Sequence, residues 1–404
     1  MSELVIVLNA GSSSLKFCVY RTDRATEPAI DVKGQIEGIG TTARFVAQSE
    51  GSATARALPA VNDSRGALEM LAAWLRERYS GATLRGVGHR VVHGGTKYAR
   101  PARVTSEVLA DLRRLESLAP LHQRHNLAAI DAVAAQFPEV PQVACFDTSF
   151  HRGQPAVATL VPLPREIVAG GVQRYGFHGL SYEYVASVLP DLAPEIAHGR
   201  VVVAHLGNGA SLCAMNDRRS IDSSLSFTAL DGLCMGTRPG ALDPGVVLYL
   251  FQNLGLSATD VESILYRQSG LLGISGISND MRVLLDTDAP NARLAIDYFV
   301  YRAAKELAAQ AAALGGIDAL VFTAGIGENS APIRERICTA SAWLGIELDR
   351  DANVASRTRI TTARSRVSAW VIPTNEELMI ARHTLDVLDG ERRTAAPSKA
   401  QESH

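Results

Sequence analysis

The chain has 404 residues, more than one hydrophobic core usually covers, so two domains of roughly 150 to 200 residues each are expected. With 47% hydrophobic and 20% charged residues it can bury sizeable cores, while a formal net charge of -2 gives no field that would draw it onto nucleic acid or an anionic membrane. Small molecules are the expected partners.

The first element, VIVLNAGSSSLKFCVYR (5–21), reads as a strand, a turn of Asn, Ala, Gly and three serines, and a second strand beyond Lys16. The apolar run before the turn is too short for a signal sequence, and no stretch of about eighteen apolar residues offers a membrane span. Cys18, Cys145, Cys213, Cys234 and Cys338 are odd in number and include no C-x-x-C pair, which fits a reduced, cytoplasmic setting. Short β-branched runs then alternate with longer helical patterns, the signature of α/β units. They include LRGVGHRVVHGG (84–95), PQVACFDTSFH (141–151), GRVVVAHLGNGASLCAM (199–215) and IDALVFTAGIG (317–327). The Ala-rich stretch 293–316 reads as a helix closed by Gly315 and Gly316, followed by a strand from Ala319 to Phe322. The polar tail after Leu388 is expected to fray.

One internal echo stands out. Shifted by 196 residues, VIVLNAGSSSLKFCV lies over VVVAHLGNGASLCAM, with Gly11 on Gly207 and Ser12 on Asn208. A duplicated fold would present two such turns, each offering backbone N–H groups and small polar side chains to phosphate oxygens. In FTAGIGENSAPIRERI, Gly325 and Gly327 follow a strand, and a helix should begin near Asn329 and Ser330, with Pro332 early in it. Glycine lets a flat nucleoside approach closely, and a helix N-terminus favours phosphate. No Gly-Lys-Ser/Thr follows a glycine-rich loop and G-x-G-x-x-G is absent, so neither a P-loop nor a Rossmann site is expected.

Arg90, after a strand and before Val-Val-His-Gly-Gly, and Arg238, in Gly-Thr-Arg-Pro-Gly, suit bidentate capture of a carboxylate or phosphoryl group. His178 lies between Gly176 and Gly179, where an imidazole can reach into a compact site and donate to a phosphoryl oxygen. The plain alternatives are a solvated arginine and a satisfied core histidine. His89 and His93 are four apart, but their Val-Val and Gly-Gly neighbours do not read as a helix, so no zinc site is expected.

Nine ordered strings give the chain a resemblance to the acetate kinase family of the actin-like ATPase superfamily. They are NAGSSSLKF (9–17), GHRVVHGG (88–95), LAPLH (118–122), FDTSFH (146–151), RYGFHGLSY (174–182), HLGNGASL (205–212), MGTRPGALDPG (235–245), GIGEN (325–329) and PTNEEL (373–378). The resemblance implies duplicated actin-like α/β domains with a ribonuclease H-like fold and an interdomain active-site cleft. Domain one would be residues 1–148 plus a returning C-terminal helix from about 378, and domain two, carrying nucleotide and dimer contacts, would be 149–377.

It further implies reversible phosphoryl transfer from ATP to acetate in a homodimer, with no nucleic acid and no membrane partner. Arg90, Asp147, His178 and Arg238 would be catalytic, with His122 and His205 nearby. Val92, Leu121, His122, Phe177 and Ala229 would line the acetate site beside Arg90. Ser12, Ser14, Lys16 and His205, Leu206, Gly207, Asn208 and Gly209 would face the phosphates. Asp280, Met281 and Arg282, with Gly325, Ile326, Gly327, Glu328 and Asn329, would hold the nucleoside. Asn9 and Glu376, with Glu377 an alternative, match positions associated with Mg2+, with Mn2+ as its substitute.

Acetate has a pKa of about 4 to 5 and arrives deprotonated, so on physical grounds Asp147 orients Arg90 or a magnesium-bound water rather than removing a proton. Two departures from the family pattern bear on the site. Ala229 stands where a proline can wall the acyl pocket, which opens room for propionate as a side substrate, and Gln123-Arg124 stand where Asn-Pro is usual. A sugar kinase of the same superfamily would use Asp147 as a base, and an actin-like or chaperone ATPase would bind nucleotide without an acyl acceptor.

Overall fold

β-Branched and aromatic runs become strands where their alternate side chains can be buried, and a computed structural model of the chain has thirteen among the residues it describes, which are all but 1, 12, 24–26, 59–60, 121 and 396–404. The chain divides into two units, residues 1–149 with 375–404, and residues 150–374.

The first unit is built on an eight-stranded sheet: β1 (Glu3–Ala10), β2 (Ser14–Arg21), β3 (Ala29–Glu37), β4 (Arg44–Ser49), β5 (Ser52–Ala57), β6 (Thr83–Val91), β7 (Ala102–Arg103) and β8 (Gln142–Phe146). Their spatial order is β5-β4-β3-β2-β1-β6-β8-β7. β1 to β5 form an antiparallel meander, and β6 and β8 join parallel on the far side of β1. Leu4, Ile6 and Leu8 of β1 point with Leu15, Phe17 and Val19 of β2 to one face, where they meet Leu68, Leu71 and Leu75 of the helix Ser64–Arg78 and Val133 of Gln123–Gln136. Each such side chain contributes roughly 1.5–3 kcal/mol on burial.

The helix Glu376–Ala395 packs on the opposite face, on β6, β1 and β8. Gly86 and Gly88 of β6 make that approach feasible. A Cβ on Gly86 would come within 2.7 Å of Leu388, and one on Gly88 would strike Thr384 and lie 2.6 Å from Ile380. The helix also runs past Leu388 to Ala395, so the residues just beyond Leu388 continue it rather than fray. There Arg85 pairs with Asp389 and Arg103 with Glu391.

The second unit repeats the scheme in five strands: β9 (Arg200–Leu206), β10 (Ala210–Asn216), β11 (Arg219–Ser223), β12 (Ala319–Thr323) and β13 (Ser368–Val371), in the order β11-β10-β9-β12-β13. As in the first unit, the first three strands are antiparallel and the last two join parallel beside β9. β1 and β9 end at residues 10 and 206, and β2 and β10 begin at 14 and 210, the 196-residue offset of the sequence echo. Tyr182, Val185 and Leu189 of the helix Gly179–Leu192 pack against Val201, Val203 and Val321. The long helix Pro290–Ala313 packs against β9, β10 and β11. Among the described residues no helix is long and apolar enough to cross a membrane.

Candidate functional site

Each unit carries polar groups at the ends of its central strands. In the first, Asn9 near the end of β1 lies opposite Lys16 of β2. Backbone pairing of β1 with β6 ends at Leu8 and His89, and the next residue of β6 is Arg90. Its Nε donates to both Asp147 oxygens at 3.1 Å, its Nη2 to Oδ2 at 2.6 Å and its Nη1 to Asn9 Oδ1 at 3.4 Å. Glu376 Oε2 lies 3.9 Å from Arg90 Nε. Burial works against the guanidinium charge, but Asp147 and Glu376 outweigh it and hold Arg90 firmly protonated. Burial likewise pushes the Glu376 carboxyl up, Arg90 pulling against it and Glu377 adding to it.

A cation beside Glu376 would offset that desolvation. Asn9, Asp147 and Glu376 supply oxygen only, which fits Mg2+, a hard ion that takes few protein oxygens and keeps water and phosphate. Among the described residues no three His, Cys, Asp or Glu side chains cluster closely enough to make a metal site by themselves. His89 and His93 turn to other uses: His89 Nε2 pairs with Gln142 Oε1 at 2.7 Å, and His93 Nδ1 accepts from the Gly95 amide at 2.8 Å.

In the second unit His178 sits in the left-handed region, φ 57°, as the N-cap of Gly179–Leu192. A left-handed non-glycine costs on the order of 1–2 kcal/mol, and such strain gathers at working sites. Gly176, φ 73°, comes so close to buried His151 that a Cβ would lie 2.6 Å from its ring. His151 in turn binds the Phe177 carbonyl at 2.9 Å and Ser220 Oγ at 2.8 Å. His178 Nδ1 pairs with Ser211 Oγ at 2.8 Å, and Tyr182 shares that hydroxyl. A chain running Tyr182 O–H to Ser211 O–H to Nδ1 leaves His178 Nε2 as a donor. The His178 ring stacks on His205 with centroids 4.1 Å apart, and His205 Nδ1 binds Ser181 Oγ at 2.8 Å. Both His178 and Arg238 converge over Gly209, where a Cβ would lie 3.2 Å from His178 Nε2 and 2.8 Å from Arg238 Nη2. Arg238 Nη1 donates to the Ala229 carbonyl at 2.6 Å.

A cavity of about 650 Å³ opens beside this cluster, lined by Gly207, Asn208, Asp280, Met281, Arg282, Gly325, Ile326 and Asn329 from the expected set and by Asn279, Leu285, Ser330 and Pro332 besides. Asn279 Nδ2 donates to Asn208 Oδ1 at 3.2 Å, and Asp280 caps the helix Met281–Leu285 while pairing with Arg282 at 2.6 Å. The glycine-rich segment differs from the expected loop: Ala324–Asn329 is itself a short helix entered through left-handed Ala324, φ 65°, and Ser330 then starts Ala331–Ala340. Glu328 turns inward, its Oε1 accepting from the amides of Ala324 at 2.7 Å and Thr374 at 3.0 Å. Buried Gly327 packs against β9 and β12, where a Cβ would lie 3.5 Å from the Ala204 carbonyl, while its own carbonyl accepts from buried Arg334 at 2.9 Å. Gly325, Ile326 and Asn329 therefore face the cavity, and Gly327 and Glu328 hold the helix that carries them.

Of the remaining expected residues, Ser12 and Leu121 lie outside the described residues. Ser14 begins β2, and its carbonyl accepts from the Gly11 amide at 2.8 Å. Leu206 is buried at the end of β9. Val92 and His122 belong to the first unit, and Phe177 and Ala229 to the second. The unusual Gln123-Arg124 pair has a clear account. Gln123 is buried against the His93 backbone, and Arg124 is an exposed residue 3.8 Å from Glu116. All five cysteines are free and buried, and burial pushes the thiols of Cys18, Cys213, Cys234 and Cys338 up to about 12, which disfavours a nucleophilic thiolate at those four.

Two units that share one central strand order, each with polar side chains at its strand ends, fit a kinase of the actin-like ATPase fold. The chain belongs to the acetokinase family, whose model matches residues 4–382. It is 54% identical over 400 residues to an acetate kinase of Rhodopseudomonas palustris, covering 97% of this chain and 100% of that one. It is 50% identical to an acetate kinase of Rhizobium meliloti over 96% of this chain and 98% of that one. Among solved structures, a propionate kinase from Francisella tularensis is similar at TM-score 0.89 and 38% identity, covering 94% of this chain and 98% of that one. Porphyromonas gingivalis acetate kinase follows at TM-score 0.85 and 35% identity, with 96% and 100% covered.

Proposed function

We propose that the chain transfers the γ-phosphoryl group of ATP to acetate, reversibly, giving acetyl phosphate and ADP, with propionate as a side substrate. The observation that carries this reading is the Arg90 and Asp147 pair. Both carboxylate oxygens are turned to the guanidinium, which suits an acceptor that brings no proton to remove. A sugar kinase would need that carboxylate as a base.

An acetate oxygen attacks the γ-phosphorus as the bond to the β,γ-bridging oxygen breaks and ADP leaves. Charge spreads over the equatorial phosphoryl oxygens, and Arg90, Arg238 and His178 Nε2–H neutralise it. Asp147 keeps the Arg90 plane fixed. Lys16 and the turns that follow β1 and β9 receive the phosphates, and the cavity beside Asn208 and Ile326 takes the nucleoside. Asn9 and Glu376 would hold Mg2+, or Mn2+ in its stead, whose charge draws electron density from the phosphate oxygens when bound.

We further read the enzyme as a cytoplasmic homodimer. The helix Pro244–Gln252 is apolar along its length yet buries none of its residues, leaving Val246, Leu248, Tyr249 and Phe251 exposed with nearby Leu254. Such a face favours a second copy. Sedimentation should give twice the chain mass, and Leu248→Glu with Phe251→Glu should lower it to one. For the reaction, protein, MgATP, acetate and hydroxylamine should yield acetohydroxamate. ATP hydrolysis without hydroxamate would favour an ATPase, and activity on sugars alone a sugar kinase.

A further inference from the structure

Four consecutive backbone N–H groups, those of residues 92–95, bind side chains rather than another strand. Val92 N donates to Asn126 Oδ1 at 3.1 Å, His93 N to Gln123 Oε1 at 3.2 Å, Gly94 N to Thr148 Oγ1 at 3.1 Å and Gly95 N to His93 Nδ1 at 2.8 Å. Gln123 closes its own ring by donating to the His93 carbonyl at 3.1 Å. Asn126 reaches further: its Nδ2 donates to the carbonyl of Ala10, the last residue of β1, at 2.8 Å. Asn126, Gln123 and Thr148 are all buried.

These bonds begin where the sheet ladder stops. β1 and β6 pair through Leu8 and His89, and beyond that point the strands carry Asn9 and Arg90. The Asn126 amide ties together the backbone just beyond, Ala10 one residue past Asn9 and Val92 two residues past Arg90. Gln123 and Asn126 are three apart in the first turn of Gln123–Gln136, so one rigid helix turn supplies both amides. Both are neutral and leave the Arg90 charge balance untouched. A displacement of about 1 Å in a reacting group can cost on the order of a hundredfold in rate.

We propose that Asn126, assisted by Gln123 and Thr148, is a positioning residue that fixes the acyl-binding strand end, holding Val92 and Arg90 in register with Asn9. This rests on the reading of Arg90 and Val92 as parts of the acetate site. It predicts a defect weighted towards acetate: the nucleoside cavity, built wholly from the second unit, is untouched, and ATP is affected only through the phosphate-facing turn that follows β1.

Asn126→Asp tests it through pH. A carboxylate there is acceptor-only and faces the Ala10 carbonyl, whereas the protonated acid restores the donor and the acceptor of the amide. At pH 8 this variant should lose about 30-fold or more in kcat/KM for acetate with KM for ATP within about twofold, and the deficit should shrink severalfold by pH 6 while the wild type stays flat. Thr148→Val, which removes one bond at nearly constant volume, should raise KM for acetate about three- to tenfold and leave KM for ATP unchanged. A pH profile of Asn126→Asp parallel to the wild type would overturn the proposal, as would equal losses for acetate and ATP in Thr148→Val. No hydroxamate from the wild type would strike the functional reading instead.

Discussion

The two turns that follow β1 and β9 occupy the same place in the same strand order, yet they carry different chemistry. At the first, Asn9, Arg90, Asp147 and Glu376 form an oxygen-rich set around one guanidinium. At the second, stacked His178 and His205 meet Arg238 over Gly209, with hydroxyls behind the imidazoles. A mixed sheet whose parallel central strands end together offers a rim where side chains converge, and duplication offers two such rims. The scaffold fixes position, and the residues at the strand ends decide whether a rim suits a metal and a carboxylate or a nucleotide and its phosphoryl group.

Removing an arginine breaks each rim at its centre. On the proposed reading, Arg90→Ala takes away the partner of a buried carboxylate as well as a charge for the transferring phosphoryl group, and Arg238→Ala takes away such a charge together with the bond to the Ala229 carbonyl. Losses of about 10³-fold or more in kcat for Arg90→Ala and about 10²- to 10³-fold for Arg238→Ala are expected, with folding checked by circular dichroism. Near-wild-type turnover in either variant would remove that arginine from the site.

One methyl group in each turn sharpens the contrast. On Gly209 it would press on Arg238 and His178, whereas on Gly11 its nearest neighbour is Ser14 Oγ at 3.5 Å. Gly209→Ala should therefore cost about 10- to 100-fold in kcat, because both groups must shift off a shared point, and Gly11→Ala no more than severalfold. Equal effects would mean that the second turn does not gather the reacting groups as described.

Much of this was legible in the sequence, and the reason is locality. Glycine and serine between β-branched runs mark a strand, a turn and a strand within about fifteen residues, so the echo at 196 and the Arg238 turn show up without coordinates, whereas Arg90, expected after its strand, is still paired within β6. Gly86 and Gly88 gave no such signal, because what crowds them is a helix about 300 residues later in the chain. The Asn126 and Gln123 bonds join an amide to backbone some thirty or more residues away, which leaves no period to read. Glu328 looked like part of a nucleoside loop because sequence cannot tell a carboxylate facing a ligand from one capping its own helix.

Among the buried histidines, His89 in the first unit and His151 in the second are both pulled down to about 4, chiefly by burial. Unfolded, each titrates near 6.5, so between about pH 6.5 and 4 the unfolded chain binds more protons and stability falls as the pH is lowered. Each contributes a loss of roughly 3 kcal/mol across that window. Urea midpoints at pH 7.5 and 5 should show it, and His89→Gln should reduce the shift by about half. No change in midpoint above pH 5 would contradict this account of both residues.

The smallest expected effect concerns Ala229, whose carbonyl holds Arg238 at 2.6 Å. Proline keeps that carbonyl as an acceptor for Arg238, while adding ring atoms, removing the N–H of residue 229 and fixing its φ. Replacing a ring by a methyl opens room for about one methylene, worth about 0.8 kcal/mol when buried, against the 1–3 kcal/mol by which a tight pocket rejects one. Propionate should then reach a kcat/KM within about tenfold of acetate in the wild type, and butyrate, two methylenes larger than acetate, should be much poorer. Ala229→Pro should widen the acetate preference by about three- to fivefold while leaving KM for ATP alone. If the wild type excludes propionate by more than about a hundredfold, or proline leaves the ratio of acids unchanged, the acyl pocket is walled by other residues and Ala229 serves only to hold Arg238.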